Sequence, residues 1–330
     1  MSGEALLEVR NLRKHFVVGS MFLSRKHGIV RAVQDISFSI AAGETLGLVG
    51  ESGSGKSTTA RLILRLLPAT AGEVLFEGAD VLRLDGQALK TVRRKMQIVF
   101  QDPYSSLDPR MRVAEIIGEA LPDQMARSSR RERIAELLEL VGLPASAAAR
   151  LPHEFSGGQR QRIGVARALA VDPSFIVADE PVSALDVSVQ SQILNLFIDL
   201  QQEFGLTYLF ISHDLSVIKH IADWVAVMYL GHLVEIAPKH AMYTKPLHPY
   251  TQALLASVPS FELGRLRRNV VIAPGEIPSP LNPPPGCPYV TRCGRATAEC
   301  RRQMPPLAAH GGQRLVACYH PLDSEVSAAS

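Results

Sequence analysis

Gly50-Glu51-Ser52-Gly53-Ser54-Gly55-Lys56-Ser57-Thr58 is the stretch on which the reading of this chain turns. It fits G-x-x-x-x-G-K-[ST], a loop built to cradle phosphates. Ahead of it, Thr45-Leu46-Gly47-Leu48-Val49 is short and apolar, as a buried strand is. Behind it, residues 59–67 predict a helix that Pro68 ends. Strand, loop and helix in that order are the setting the motif needs, which separates it from a chance glycine-rich turn. The glycines let backbone N–H groups turn inward, and the helix N-terminus adds positive potential for phosphates. Lys56 can reach the β- and γ-phosphates, and the Ser57 hydroxyl can ligate Mg²⁺. Alone, the loop says only that a nucleoside triphosphate binds.

Working outward, 46% of the 330 residues are hydrophobic and 20% charged, which places the chain among globular proteins with an ample core. That length allows one large domain or two smaller ones. A net charge of +3 argues neither for nor against a nucleic-acid partner. The cluster Arg127, Arg130, Arg131 and Arg133 reads as the solvated face of a helix start. No apolar run approaches the roughly eighteen residues of a membrane span. Residues 1–8 lack a basic region followed by an apolar core, so the expectation is a cytosolic chain that reaches a membrane only by docking to a protein there.

Residues 6–18 and 30–40 read as strands around a loop with Gly19 and Gly28, followed by a turn at 41–44. Residues 72–78 and 97–101 predict further short strands, the second ending at Gln101. From about 103 to 165 the pattern turns helical, with helices expected near 113–120 and 130–141, and we read an inserted helical subdomain. Phe155-Ser156-Gly157-Gly158-Gln159-Arg160-Gln161-Arg162 opens another helix. Phe175-Ile176-Val177-Ala178-Asp179-Glu180 is an apolar strand ending in two acids, and Ser183-Ala184-Leu185-Asp186 precedes an amphipathic helix. A strand over 206–212 runs into His213-Asp214, and 224–236 reads as a hairpin around Gly231. Alternating strands and helices imply a mainly parallel sheet. Beyond about residue 240, Pro259, Pro274, Pro278, Pro280, Pro283, Pro284, Pro285 and Pro288 predict an irregular extension folded around the cysteines.

An acid at the end of a buried strand can hold a Mg²⁺ shell, and a second can deprotonate an attacking water. Without a phosphate loop, Asp179-Glu180 would read as a solvated turn; with one, it is the expected second half of the site. Ser156-Gly157-Gly158-Gln159 is either an ordinary helix cap or a second anion nest. One nucleotide rarely needs two cradles, so the second is expected to serve a nucleotide held by another subunit. Gln101 and His213 each follow a strand, on the sheet edge where ligands bind.

In this order, over about residues 6–240, these motifs resemble the ATP-binding-cassette ATPases, with Phe155 standing where Leu is commoner. The resemblance implies an α/β fold: a RecA-like, mainly parallel core, an antiparallel β subdomain and the inserted helical subdomain, together spanning 1–240. It implies that Phe16 stacks on adenine and that Gly50, Glu51, Ser52, Gly53, Ser54, Gly55, Lys56, Ser57 and Thr58 hold the phosphates. Ser57, Gln101 and Asp179 would serve Mg²⁺. Glu180 would be the catalytic base, His213 would contact the γ-phosphate, Gln101 would meet the metal or its water and sense the transmembrane partner, and Asp186 would couple two sites. Ser156, Gly157, Gly158 and Gln159 would meet ATP bound to the opposing subunit.

His248-Pro249-Tyr250-Thr251-Gln252-Ala253-Leu254-Leu255, Gly275-Glu276-Ile277-Pro278-Ser279-Pro280 and Asn282-Pro283-Pro284-Pro285-Gly286-Cys287 narrow this. They resemble the dipeptide/oligopeptide importer ATPases, nearest the F-type subunits of dipeptide permeases. The resemblance implies a homologous ATPase partner, two transmembrane permeases and an extracytoplasmic peptide-binding protein, with no nucleic acid. It implies a peripheral place on the cytoplasmic side of the membrane, docked through the Gln101 loop and the helical subdomain, with Tyr104 and Leu107 as contacts. Nickel, glutathione or another small solute is the alternative cargo, and a soluble ATPase acting on ribosomes or DNA is the rival class.

All four cysteines, Cys287, Cys293, Cys300 and Cys318, follow residue 286, spaced C-x₅-C-x₆-C-x₁₇-C. In a reducing compartment this points to a metal site rather than disulfides. Four thiolates can hold a [4Fe–4S] cluster or Zn²⁺, or stay free. The spacing lacks the C-x₂-C knuckles of many zinc sites, and the importer branch implies the cluster, in a structural role.

Overall fold

The computed structural model describes residues 5–18, 28–102, 104, 106–257, 276 and 278–323. Gly19, Pro259, Pro274, Gly275 and Ile277, named in the sequence analysis, lie outside them, as do residues 1–4. In chain order, β1 (Ala5–Val18), β2 (Gly28–Ala41) and β3 (Thr45–Val49) lead to helix α1 (Lys56–Ile63). Then come β4 (Ala71–Phe76), β5 (Ala79–Asp80), α2 (Gly86–Lys95) and β6 (Met96–Val99). The insertion carries α3 (Val113–Gly118) and α4 (Arg127–Leu140), and α5 (Gly157–Leu169) returns to β7 (Phe175–Asp179). The sequence α6 (Val187–Phe204), β8 (Thr207–Ser212), α7 (Leu215–Ile221), β9 (Trp224–Tyr229) and β10 (His232–Pro238) follows. After it come α8 (Lys239–Thr244), α9 (Pro249–Ala256), α10 (Ala298–Arg302), β11 (Ala308–Ala309) and β12 (Leu315–Val316).

Two sheets result. β1 and β2 alternate buried and exposed residues and pair antiparallel, Leu7 opposite Ile40 and Val9 opposite Phe38, in a four-stranded sheet of order β2-β1-β4-β5. The larger sheet runs β11-β12-β10-β9-β3-β8-β7-β6. Its middle is parallel, with β3 paired to both β8 and β9. Every residue of β3, β7 and β8 is buried, which explains their unbroken apolar runs. Leu7, Ile40, Phe76 and Val74 of the small sheet share one core with Leu62 of α1 and Phe175 and Leu209 of the large sheet.

Three expectations change. Helix α1 stops at Ile63, short of Pro68, because Arg65 turns left-handed (φ 49°). Leu66 N–H then bonds back to Arg61 O at 2.7 Å, which satisfies a terminal carbonyl. The arginine cluster is not simply a solvated face. Arg130 donates to Gly118 O and Pro122 O, both at 2.8 Å, so it caps the end of α3. Arg133 pairs with Asp172 at 2.6 Å. The C-terminal extension is also less irregular than its prolines predict. They crowd the middle of it, while its flanks form helices α8 to α10 and a ribbon that pairs with β10, Glu235 opposite Val316.

Glu235 fastens that extension. Its side chain is fully buried and accepts the backbone N–H of Leu247 and of His248, both at 2.9 Å, and Arg314 Nη2 at 3.2 Å. The Glu235→Ala variant strands two amide donors and a cation in the interior. It should lower unfolding free energy by about 3–5 kcal/mol, read from urea denaturation of the full chain.

Candidate nucleotide site

β3 delivers the loop at residues 50–55 to the carboxyl edge of the parallel strands. Two glycines are there for space. A Cβ on Gly50 (φ 155°) would stand 2.1 Å from Met228 O, and one on Gly55 (φ 107°) 2.3 Å from Ala32 O. Neighbouring strands hold the loop from behind: Gly231 N–H donates to Ser54 O at 2.8 Å, and Gln34 N–H to Gly231 O at 2.8 Å. Lys56 is buried, and its ammonium donates to Gly50 O at 2.7 Å and Glu51 O at 3.1 Å. Burial lowers its pKa against the pull of Glu180, Asp179 and Glu51.

Three segments far apart in sequence converge on this loop. Ser57 Oγ donates to Asp179 Oδ1 at 2.9 Å across the top of β7. Asp179 is buried, which raises its pKa; the Ser57 hydroxyl opposes that shift and the neighbouring Glu180 adds to it. Glu180 sits at φ 49°, a left-handed conformation that its N–H···O bond to Ile211 (3.0 Å) holds in place. Its Oε2 accepts Gln101 Nε2 at 3.2 Å and lies 3.0 Å from His213 Nδ1. Together these surround a cavity of about 680 Å³, lined by Lys56, Ser57, Gln101, Glu180 and His213 on one side and Val30, Ala32 and Leu230 on another. Its chemistry is that of an anion cradle with adjacent hard oxygen donors and an oriented carboxylate.

Comparison with known proteins agrees with this geometry. The family described as "ABC transporter" matches residues 33–183, and "Oligopeptide/dipeptide transporter, C-terminal region" matches residues 234–300. The chain is 52% identical to "Oligopeptide transport ATP-binding protein AppF" of Bacillus subtilis (strain 168), over 96% of this chain and 97% of that one. The chain belongs to the ABC-transporter ATP-binding proteins of the oligopeptide/dipeptide branch. It is also 49% identical to "Dipeptide transport ATP-binding protein DppF" of Escherichia coli (strain K12), over 96% of this chain and 94% of that one. Among solved structures it resembles the ATP-binding cassette MJ0796 in a dimeric post-hydrolysis state bound to ADP and Pi. That match has a TM-score of 0.62 and 30% identity, covering 71% of this chain and 98% of that one.

Of the residues singled out in this ABC ATPase, the cavity is lined by Gly50, Glu51, Ser52, Gly53, Gly55, Lys56, Ser57, Thr58, Gln101, Glu180 and His213. Asp179 stands behind Ser57, and Ser54 faces inward with a buried hydroxyl that has no partner among the described residues. Phe16 is not among the lining residues. Its strand partner Val30 is, while Phe16 lies beside Lys14, whose ammonium is 4.9 Å from its ring centroid. Ser156 caps α5, reciprocally bonded to Gln159. Gly157 and Gly158 press on Leu185 and Val189, where a Cβ would come within 3.3 and 2.3 Å. Asp186 caps α6 by accepting Val189 N–H at 3.0 Å. These last five stand outside the cavity.

Several supporting contacts come from residues to which the sequence reading gave no part in the site. Arg160 lies 3.9 Å over the Tyr104 ring, Gln161 donates to Phe100 O at 3.4 Å, and Arg167 donates to Ser106 O at 2.6 Å. One face of α5 thus grips the segment that carries Gln101. Leu107, read above as a docking contact, is 2% exposed and belongs to the core; Tyr104 is open to solvent.

Cys287, Cys293, Cys300 and Cys318 border one void of about 10 Å³, room for about one water. Burial raises the thiol pKa of Cys287 to about 12 and of Cys318 to about 11. Among the described residues no group of three or more His, Cys, Asp or Glu is placed to hold a metal ion, so the four-thiolate centre is not shown.

The raised pKa of Asp179 carries a stability consequence. Its ionised form is penalised on folding, so its contribution is fully present below the ordinary carboxylate value near pH 4 and is lost as pH rises from there through its raised folded value. An amide keeps the acceptor for Ser57 without the charge. Asp179→Asn should therefore raise the melting temperature of the protein at pH 7, by a gain of about 1 kcal/mol, and leave it unchanged at pH 3.

Proposed function

We propose that this chain is the ATP-hydrolysing subunit of a peptide importer, a cassette through about residue 240 followed by an importer-type extension. The observation that carries the hydrolytic part is the convergence of Gln101 and His213 on one carboxylate oxygen of Glu180, beside the phosphate loop. The branch of the family supports the cargo, since its relatives bear the names of oligopeptide and dipeptide transport proteins.

The roles follow from position. The N–H groups of residues 50–58 and the Lys56 ammonium neutralise the triphosphate. Ser57 Oγ and the Asp179 carboxylate are adjacent hard oxygens, a donor pair that fits Mg²⁺ with most of its waters retained. When bound, that ion screens charge on the β- and γ-phosphate oxygens. Glu180 accepts the proton of the attacking water, and the Gln101 amide and His213 imidazole keep its carboxylate turned toward the phosphate. Ser156, Gly157 and Gly158 open a helix of 13 residues outside this chain's own cavity. That supports a role on ATP held by an opposing ATPase, with Asp186 beside the same helix linking the two sites.

A second opening, of about 830 Å³, lies on the insertion between α3 and α4, where Met111, Ala114 and Ile134 are interleaved with charged residues of both signs such as Arg110, Glu115 and Arg127. It suits an amphipathic segment of a membrane permease. No helix among the described residues is long and apolar enough to cross a membrane, which fits a subunit docked on the cytoplasmic side. A peptide-binding protein on the far side would deliver the cargo.

For the cysteines we propose a structural soft-metal centre, [4Fe–4S] ahead of Zn²⁺. The donors fit in kind: four thiols around one void, with His320 N–H directed at Cys318 Sγ (3.4 Å) as at a ligating sulfur. The void as packed is smaller than a cubane, so loading would spread the segments that carry the thiols.

Glu180→Gln should bind ATP normally and lower phosphate release about 10³-fold in a complex whose partner site is also disabled; unchanged turnover would reject Glu180 as the base. Full-length protein purified without oxygen should be brown and hold about four irons per chain. Colourless protein with one zinc selects the second metal, and colourless metal-free protein selects free thiols.

A further inference from the structure

The phosphate loop is gripped from the front by the C-terminal extension, through contacts that none of the motifs includes. Glu51, second residue of the loop, is bound at both ends of its residue. Its backbone N–H donates to Tyr250 Oη at 3.0 Å, and Tyr250 stands in the first turn of α9. Its carboxylate takes a forked bond from Arg292, with Nη1 at 3.2 and 3.0 Å from the two oxygens and Nη2 at 3.3 Å from Oε1. Arg292 lies between Cys287 and Cys293 and is 241 positions from Glu51 in the chain.

This is no surface ion pair. The side chains are 11% and 27% exposed, and Arg292 also donates to Tyr229 Oη at 3.3 Å. Burial by itself would lower the Arg292 pKa, but its bonds to Glu51 and Tyr229 raise it overall. The guanidinium rests against the rings of Tyr229 and Tyr289, 5.9 and 5.6 Å from their centroids. Those two rings and Tyr250 pack as a triangle with centroid separations of 4.6, 5.4 and 5.3 Å. Tyr229 ends β9, so the triangle is rooted in the core sheet. Leu254 and Pro280 of the extension also line the nucleotide cavity.

The chemistry of the loop makes this placement consequential. A phosphate cradle works only while its N–H groups point inward, and Glu51 O is one of the two carbonyls that hold Lys56. Fixing Glu51 from two sides fixes the first turn of the loop before any phosphate arrives. We infer that Arg292 and Tyr250 are positioning residues for ATP binding: the extension pre-forms the phosphate loop through Glu51. Neither touches the reacting atoms. The inference rests on the reading that residues 50–58 cradle ATP.

The test uses the full chain, with calorimetric titration of ATP and thermal melting measured on the same samples. Arg292→Ala should weaken ATP binding about 5- to 10-fold, the cost of loosening one half-buried charge-assisted pair. Arg292→Lys, which keeps the charge and loses the fork, should fall between. Tyr250→Phe removes one oxygen without disturbing the ring packing and should weaken binding about 3-fold. In the assembled importer the same variants should raise KM for ATP while kcat stays within about twofold, because the lost term is shared by ground and transition states. If Arg292→Ala fails to fold, Tyr250→Phe alone decides. Wild-type affinity in the folded variants, or a fall in melting temperature with unchanged affinity and KM, overturns the proposal. Wild-type protein that binds no ATP would instead reject the reading of residues 50–58.

Discussion

Strand β3 is the constraint from which the rest of the site hangs. It is five residues long, all buried, and paired in parallel on both sides. A strand so enclosed has no freedom of register: a slip of one residue would turn Leu46 and Leu48 out of one core and into another. That rigidity is handed on at Val49, where the chain leaves the sheet and bends at Gly50 against Met228 O. β8 beside it and β7 beyond β8 end within one residue of it and carry Ser212 and Asp179, so the acids and His213 reach the loop because the strands end together.

Electrostatics at that edge are arranged in opposition. A buried ammonium and a buried carboxylate sit on either side of the Ser57 hydroxyl, each shifted by burial toward its neutral form. Neither is at ease alone, and a polyanion with its divalent cation relieves both. The left-handed backbone at Glu180 belongs to the same design: held by Ile211 O, it turns the second acid away from the first and into the cavity.

Much of this was legible in the residues themselves. The apolar run before Gly50, the alternation of residues 30–40 and the acids after Ala178 depend on local periodicity, which the sequence displays directly. What escaped it depends on pairing across long separations. Arg130 looked solvated because four arginines in one stretch usually are, yet its guanidinium finds the carbonyls of Gly118 and Pro122, 12 and 8 positions back along the chain. Phe16 does not line the cavity, whereas its strand partner Val30 does, a pairing that local periodicity does not show. Leu107 looked like a contact residue beside Tyr104 and proved to be core. Arg292, buried in a loop between two cysteines, offers no pattern at all; only the folded chain brings it to Glu51. The cysteines were legible as a group, and the structure does gather them around one void, but their spacing says nothing of the room between them.

The ribbon at the end of the chain has a bearing on how the molecule is made. Until Leu315 and Val316 exist, β10 presents an open edge on a large apolar sheet, a template for any other extended chain. At about 5–20 residues per second the ribosome needs on the order of 4–16 s to travel from β10 to β12. During that interval the nucleotide core is already synthesised while its edge is bare. The finished edge, β11, is only two alanines long and offers little to copy. Nascent chains are thus most exposed to mispairing late in synthesis, and the tail that closes the sheet is the last protection to arrive.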